Sequence, residues 1–244
     1  MSALDVYFQA VESQLHRIRN EQRGALVQAA EWVSEALLSE RFIYVFGSGH
    51  SHALGEEMFY RAGGLARAVA ILDEKLMVHE SASESTSWER IEGYAVSILS
   101  RYPLGQGDVL IVVSNSGRNP VPIEMAILAA ERGARVLAIT SLDYSGSVTS
   151  RHSSGKKLTD VAHLVINNYS VAGDACVTVD GLATKVGPTS TVSCACILNA
   201  IVAEAVELAV KSGGKPEVYA SANSGAESLN RNLLEKYKGV IPHL

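Results

Sequence analysis

The chain has few cysteines, no run of basic residues and no segment typical of export. Its three cysteines are an odd number, which argues against a disulfide framework. The formal net charge is -5, and no Lys/Arg run provides the concentrated basic face that binding to a nucleic-acid backbone requires. The first 14 residues carry Asp5 and Glu12 and lack an apolar stretch behind a basic start. These absences predict a cytoplasmic protein that does not bind nucleic acid.

Two of the cysteines and the most apolar segment lie together near the C-terminal end of the chain. Cys194 and Cys196 are one residue apart in a helical pattern and would point about 200° apart on a helix, so we interpret them as buried apolar side chains. We therefore expect no metal ion and no cofactor. The apolar stretch 192–210 is interrupted by one asparagine and two glutamates, which predicts a packed core helix and no membrane partner.

Two short serine-glycine loops are the most informative motifs of the chain. The first loop, Gly47-Ser48-Gly49-His50-Ser51, follows the apolar run 42–46. The second loop, Ser114-Asn115-Ser116-Gly117-Arg118-Asn119, follows the apolar run 109–113. Each run is typical of a strand buried on both faces, and each loop opens a helical pattern. The strand-loop-helix unit is thus repeated.

The pattern along the chain predicts an α/β fold with a five-stranded parallel sheet. The predicted strands are 42–46, 67–72, 109–113, 135–140 and 162–166. The predicted helices are 51–62, 88–101, 120–132 and 189–211, and a capping box of Thr86 and Glu89 would start the second of these. Length and composition fit a single domain over 1–244, with N-terminal helices in 1–39, a core in 42–211 and a C-terminal tail in 212–244. Within that tail, the polar run 221–225 predicts an ordered loop.

The two loops are expected to meet at one edge of the sheet. In a doubly wound sheet of flavodoxin-like order 2-1-3-4-5, the ligand crevice lies between strands one and three, which carry the loops. Hydroxyl groups and backbone N–H groups would then converge on a volume suited to a phosphate. A Walker loop is absent, and the dinucleotide fingerprint would place its third glycine at His52, where a side chain obstructs close helix–strand packing. The remaining alternative is that both loops are tight turns without a ligand.

With these motifs the chain resembles the sugar isomerase (SIS) domain family from about Phe42 to Val210. The second loop resembles the family motif S-x-S-G-x-T, with Asn119 in place of the usual threonine or serine. The first loop resembles the family's first glycine loop, whose final serine, here Ser51, faces the sugar phosphate. The segment 187–191 is similar to a Pro-Thr-Ser-Thr segment of arabinose 5-phosphate isomerases. The resemblance implies a three-layer α/β/α sandwich and phosphosugar binding. It also implies a homodimer or homotetramer with sites near subunit boundaries.

The resemblance does not carry a complete mechanism. The segment 116–120 looks most like that of N-acetylmuramic acid 6-phosphate etherases, yet their catalytic glutamate falls on Arg61 here. Phosphoheptose isomerases place a histidine and a glutamate four residues apart, and those positions are Glu57 and Arg61. Their later histidines have no counterpart in the final helix.

Candidate acid-base residues therefore come from this sequence itself. Glu57 is the preferred base, although it could face solvent or a partner. His50 in the first loop could reach a sugar hydroxyl or simply cap the helix, and His79 could close over a ligand or sit in an exposed loop. The residues expected to bind the phosphosugar are Gly47, Ser48, Gly49, Ser51, Ser114, Asn115, Ser116, Gly117, Asn119, Thr189 and Ser190.

The sequence favours an aldose–ketose sugar-phosphate isomerase that acts through an enediolate. Two alternatives stay open, a non-catalytic phosphosugar sensor and a sugar-phosphate etherase or lyase.

Overall fold

The computed structural model describes residues 1–221 and 227–244, and its centre is a parallel sheet. The strands are β1 (Ile43–Gly47), β2 (Ala68–Ile71), β3 (Val109–Val113), β4 (Arg135–Thr140) and β5 (Leu164–Asn167). They pair in parallel in the order β2-β1-β3-β4-β5, which confirms the predicted fold class and strand order. A small antiparallel hairpin of β6 (Ala175–Val177) and β7 (Val186–Pro188) was not predicted.

Helices flank the sheet, and further helices lie before its first strand and after its last strand in the chain. The first five are α1 (Ala3–Glu21), α2 (Arg23–Leu38), α3 (Ala53–Met58), α4 (Ala82–Trp88) and α5 (Tyr94–Leu99). The others are α6 (Pro120–Glu131), α7 (Leu142–Ser147), α8 (Leu158–Val161), α9 (Ser190–Lys211) and α10 (Glu227–Tyr237). Short 3₁₀ turns cover Gly49–His52 and Glu74–Leu76.

Alternating side chains of the strands build two apolar layers, one on each face of the sheet. In β1, Ile43 and Val45 belong to the layer that includes α2 and α9. Tyr44 and Phe46 belong to the opposite layer, which includes α5 and α6. A parallel sheet requires cover on both faces, and the two layers provide it. The result is the expected three-layer sandwich, with the helical segment 3–38 at its N-terminal end.

Helix α9 has the length and apolar composition that would also fit a membrane span. Its buried face, which includes Ile197 and Ile201, packs in the same apolar layer as α2. We therefore describe it as a core helix, in agreement with the sequence prediction. The predicted burial is confirmed for Cys194 and wrong for Cys196, which lies on the exposed face of the helix. Helix α1 is more exposed, and Leu4 and Phe8 lie on its open side.

Three predicted elements differ from the structure. The predicted helix 88–101 is wrong, because Gly93 adopts a φ of +81° and separates α4 from α5. The predicted Thr86/Glu89 capping box is also wrong, because Thr86 lies inside α4 and Glu89 follows the last turn of α4. The predicted helix 51–62 divides into a 3₁₀ turn and the short α3, which ends where Phe59 becomes extended.

The tail also differs from its prediction, because it contains α10. Leu233 and Tyr237 of α10 are buried in the layer that includes α5. The predicted loop 221–225, apart from Ser221, lies outside the described residues.

Candidate functional site

The second loop carries a set of donors at the start of α6. Gly117 has a φ of +58°, and a Cβ there would lie 3.3 Å from both Leu158 Cβ and Thr140 Oγ1. A side chain is therefore disfavoured by backbone conformation and by space. Within residues 1–221 and 227–244, the backbone N–H groups of Ser116, Gly117 and Arg118 make no hydrogen bond. Successive N–H groups at a helix N-terminus form a concave site that attracts anions.

The side chain and the backbone carbonyl of Asn115 hold the second loop in place. The side-chain oxygen of Asn115 accepts hydrogen bonds from Asn168 Nδ2 at 3.0 Å and from Ser170 Oγ at 2.6 Å. Its backbone carbonyl accepts from Ser141 N and Thr140 Oγ1. Asn115, which sequence reasoning counted among the phosphosugar ligands, thus uses its side chain to fix the loop against the segment after β5.

The first loop approaches its own helix closely. A Cβ on Gly47 would overlap the carbonyl group of Ser51 and lie 2.8 Å from Ser51 Cβ, so only glycine fits there without a shift. Ser48 donates its hydroxyl hydrogen to Glu89 Oε1 at 2.7 Å. The hydroxyl groups of Ser51 and Ser116 have no hydrogen-bond partner among the described residues, and neither does that of Ser114. These three hydroxyls remain available for a ligand.

Glu89 is a carboxylate at the crevice that sequence reasoning assigned to helix capping. Its side chain accepts from Ser48 of the first loop, and its backbone carbonyl accepts from Val121 N in the first turn of α6 at 3.2 Å. Glu89 therefore joins the two loop-helix units at the predicted switch point. The signal for this role was weak, because a glutamate three residues after a threonine fits a capping box equally well.

Arginines supply positive charge beside the second loop. Arg151 Nη1 donates to Asn119 Oδ1 at 2.9 Å, and Arg151 N donates to the carbonyl of Arg118 at 2.8 Å. Burial lowers the pKa of the Arg151 guanidinium, and the charges of Arg118 and Arg90 lower it further. Glu89 acts in the opposite direction. Arg151 lies 32 residues after Asn119, so no local motif could have linked it to the loop.

Of the three predicted acid-base residues, His50 lies in the first loop, whereas Glu57 and His79 lie outside both loops. Glu57 lies near the end of α3, where it pairs with Arg61 and accepts from Asn199 Nδ2 of α9 at 2.7 Å. His50 is exposed in the first loop. His79 is exposed beside Glu80 and lines a polar cavity of about 730 Å³, together with Glu56, Lys75 and Arg101 but without the loop serines.

Thr189 and Ser190 form the start of α9, and their two backbone N–H groups and the Ser190 hydroxyl are already engaged. Asp174 accepts from Thr189 N at 3.1 Å, from Ser190 N at 2.9 Å and from Ser190 Oγ at 2.5 Å. The carboxylate of Asp174 thus occupies the place that an anion would take at this helix end. The first turns of α9 still reach the second loop indirectly, because Asn168 bonds both Cys194 Sγ and Asn115.

One group of side chains could hold a cation. Ligand atoms of Glu92, Glu124 and His152 lie within 4.8 Å of one another. Both carboxylates already accept backbone hydrogen bonds, Glu92 from Ser153 N and Glu124 from Gly93 N. In the described structure the group fastens the segment that carries Arg151 to α6 and to the turn before α5.

The sequence of this chain matches a known protein family and several curated proteins. The model of the SIS domain matches residues 6–141. A UPF0309 protein of Geobacillus thermodenitrificans is 45% identical over 242 residues, which cover 99% of this chain and 97% of that protein. A UPF0309 protein of Halalkalibacterium halodurans is 46% identical over 239 residues, with 98% and 96% coverage.

Solved structures share the fold at low sequence identity. A phosphoheptose isomerase from Francisella tularensis aligns with a TM-score of 0.56 and 16% identity, over 85% of this chain and 100% of that one. The Vibrio vulnificus NanR protein, complexed with ManNAc-6P, aligns with a TM-score of 0.51 and 19% identity, over 100% and 70%. The sugar isomerase domain of an RpiR transcription factor from Sphaerobacter thermophilus gives 0.51 and 17%, over 95% and 97%.

Proposed function

The chain belongs to the SIS domain family and to the UPF0309 proteins, and from this premise we propose that it binds a sugar phosphate at its two serine-glycine loops. One observation carries the proposal. The N–H groups of residues 116–118 make no hydrogen bond in the described part of the chain, although they lie beside buried strand ends. Gly117 is buried, and Ser116 and Arg118 are half-buried. Three adjacent unpaired N–H groups just before a helix form a concave, electropositive site of the kind that binds anions.

The chemistry of the loops suits a phosphate. Its oxygens accept several hydrogen bonds, and the hydroxyls of Ser51, Ser114 and Ser116 can donate to them. The N-terminus of α6 adds the positive end of a helix dipole. Structural neighbours of the same fold include a phosphoheptose isomerase and a protein complexed with ManNAc-6P, which supports the ligand class.

A binding experiment tests the proposal. We expect a panel of hexose and heptose phosphates to include at least one compound that raises the melting temperature of the wild-type protein. The shift should be lost in Ser116→Ala and retained in Ser100→Ala, which removes an exposed hydroxyl at the end of α5. If no phosphosugar changes the melting temperature, or if both variants respond like the wild type, the proposal is wrong.

We propose that the reaction is an aldose–ketose isomerisation. A base removes the proton from the second carbon, next to the carbonyl, and an enediolate forms. The hydroxyl proton of the second carbon moves to the former carbonyl oxygen, and the base returns its proton to the former carbonyl carbon. The Glu89 carboxylate accepts from Ser48 of the first loop, and the Glu89 backbone carbonyl accepts from Val121 N of α6. The Glu57 carboxylate, in contrast, is held by Arg61 and Asn199. The geometry therefore favours Glu89 as the base over the sequence-preferred Glu57.

Hydrogen exchange with solvent separates these assignments. Incubation of a bound aldose phosphate in deuterated water should introduce deuterium at the second carbon. Glu89→Gln should slow this exchange by about 10²–10⁴-fold, the usual contribution of general-base catalysis. A loss confined to Glu57→Gln would instead identify Glu57.

A non-catalytic sensor is the second candidate function. The fold occurs in the sugar isomerase domain of a transcription factor, and Ser48 engages Glu89 in the present structure. Tight binding without exchange for any ligand of the panel would identify a sensor.

Other predictions from the sequence remain to be measured. They are a single domain over 1–244, a homo-oligomer with sites near subunit boundaries, and a cytoplasmic location. Light scattering on the purified protein gives the oligomeric state.

A further inference from the structure

An arginine cluster, consisting of Arg90, Arg118 and Arg151, lies beside the second loop. Arg118 belongs to the loop itself, and Arg151 contacts it through the 2.8 Å backbone hydrogen bond and through Asn119. Arg90 directly follows Glu89 and acts electrostatically on Arg151. Arg118 and Arg151 therefore both lie at the second loop, and Arg90 is close enough to Arg151 to act on it electrostatically.

The arginine cluster forms no ion pair with any of the described residues. In the described part of the chain, none of the three guanidinium groups lies within 4.0 Å of a carboxylate oxygen. Arg61, Arg101 and Arg135, in contrast, each pair with a glutamate or aspartate. Glu89 acts electrostatically on Arg151 but does not form an ion pair with it.

Arg118 also has an unused donor inside the protein. Its Nε is buried and has no hydrogen-bond partner among residues 1–221 and 227–244. A buried donor of a charged group is costly to leave unpaired, and bidentate contact with a carboxylate or phosphate is the arrangement that best satisfies guanidinium groups. The unpaired Nε of Arg118 and the clustering of positive charge are separate observations, and both favour an anionic ligand at this position.

The phosphate of a simple sugar phosphate does not require these arginines. The second loop already provides unpaired N–H groups, a free Ser116 hydroxyl and the N-terminus of α6. Neutral donors of this kind are sufficient for phosphate binding. The arginines add full positive charges to this set of neutral donors.

We propose that the natural ligand is a sugar phosphate with a second anionic group, a carboxylate or another phosphate, and that Arg118 and Arg151 bind this group. The inference rests on the proposed phosphosugar function and narrows its substrate class. The segment that carries Arg151 is fixed in position by Ser153, which donates its hydroxyl to Glu92 Oε2 at 2.7 Å. The second anion is therefore met by a guanidinium that is already oriented.

Matched ligand pairs test the inference by calorimetry. Sorbitol 6-phosphate and 6-phosphogluconate differ in one carboxylate, and fructose 6-phosphate and fructose 1,6-bisphosphate differ in one phosphate. The wild-type protein should bind the doubly anionic member of at least one pair tenfold or more tightly. This ratio should fall to near one in Arg118→Gln and in Arg151→Gln. Arg23→Gln, which removes an exposed arginine at the start of α2, should keep the wild-type ratio.

The outcomes separate the two proposals. If the arginine variants weaken both members of a pair equally, the arginines bind the shared phosphate and the inference is overturned. An equal affinity of the wild-type protein for both members of both pairs also overturns it, while the phosphosugar function stands. If no member binds, the proposed function fails as well. Arg118→Lys, which keeps the charge but not the planar fork, provides a folded variant should Arg118→Gln be unstable.

Discussion

Replacement of Gly47 by alanine should damage the first loop in a measurable way. The new Cβ would lie 2.8 Å from Ser51 Cβ, about 0.6 Å inside the 3.4 Å at which ordinary contact begins, and closer still to the Ser51 carbonyl. Overpacking of this kind costs about 1–3 kcal/mol. For a chain of this size, 1 kcal/mol corresponds to about 2–4 °C, so the melting temperature should fall by about 2–12 °C.

Calorimetric or fluorescence melting of two matched variants checks this prediction. Gly24→Ala introduces the same methyl group at the start of α2, where nothing lies within 4 Å, and should leave the melting temperature unchanged or slightly higher. Displacement of Ser51 should also weaken phosphosugar binding in Gly47→Ala and not in Gly24→Ala. The reasoning is refuted if Gly47→Ala melts within 1 °C of the wild type and binds the same ligand equally well.

Further predictions concern the rest of the chain. At pH 8 iodoacetamide should modify exposed Cys196 and spare Cys194, because burial raises the pKa of the Cys194 thiol to about 12; mass spectrometry that finds Cys194 labelled in the folded protein would contradict its burial. Asp174→Ala removes acceptors from three donors at the start of α9 and should cost about 0.5–2 kcal/mol in urea unfolding, whereas a variant as stable as the wild type would rule out this capping role. Hydrogen bonds from Ser153 hold the pKa of Glu92 below its ordinary value of 4.5. The stabilisation of the folded state by the ionised Glu92 is therefore fully present above pH 4.5, and it is lost as the pH falls through the lower pKa of the folded state. Melting curves should therefore separate Glu92→Gln from the wild type at neutral pH and converge in acid, and a constant difference at all pH values would exclude titration of Glu92 as its origin.

The strands and their order followed from the sequence because both faces of the sheet are buried. A parallel strand covered on both sides is a continuous apolar run, and the runs 109–113 and 135–140 match β3 and β4 residue for residue. Elements whose boundary is set by a single residue were harder to predict. Gly93 interrupts the helix that apolar spacing alone predicts over 88–101. The positive φ of Gly93, which the spacing does not reveal, marks the break between α4 and α5. Helix α10 had a usable signal, since Leu233 and Tyr237 are four residues apart.

The candidate site was predicted as far as it depends on contiguous residues. Gly47 stands where the backbone of Ser51 leaves no space for a side chain, whereas Gly49 and Gly117 adopt positive φ values. A local motif carries both kinds of information. The contributions of Glu89 and Arg151 depend on how α4 and the segment after α7 pack against the loops. Such contacts join distant parts of the chain and leave no periodic pattern. Ser190 illustrates the converse, because Asp174, 16 residues earlier, occupies its donors.

A crystal structure with a bound sugar phosphate tests the central claim most directly. The phosphate oxygens should lie within hydrogen-bond distance of the N–H groups of residues 116–118 and of the Ser116 hydroxyl. A phosphate bound elsewhere, for example in the 730 Å³ cavity beside His79, would contradict the assignment of the two serine-glycine loops as the phosphate site.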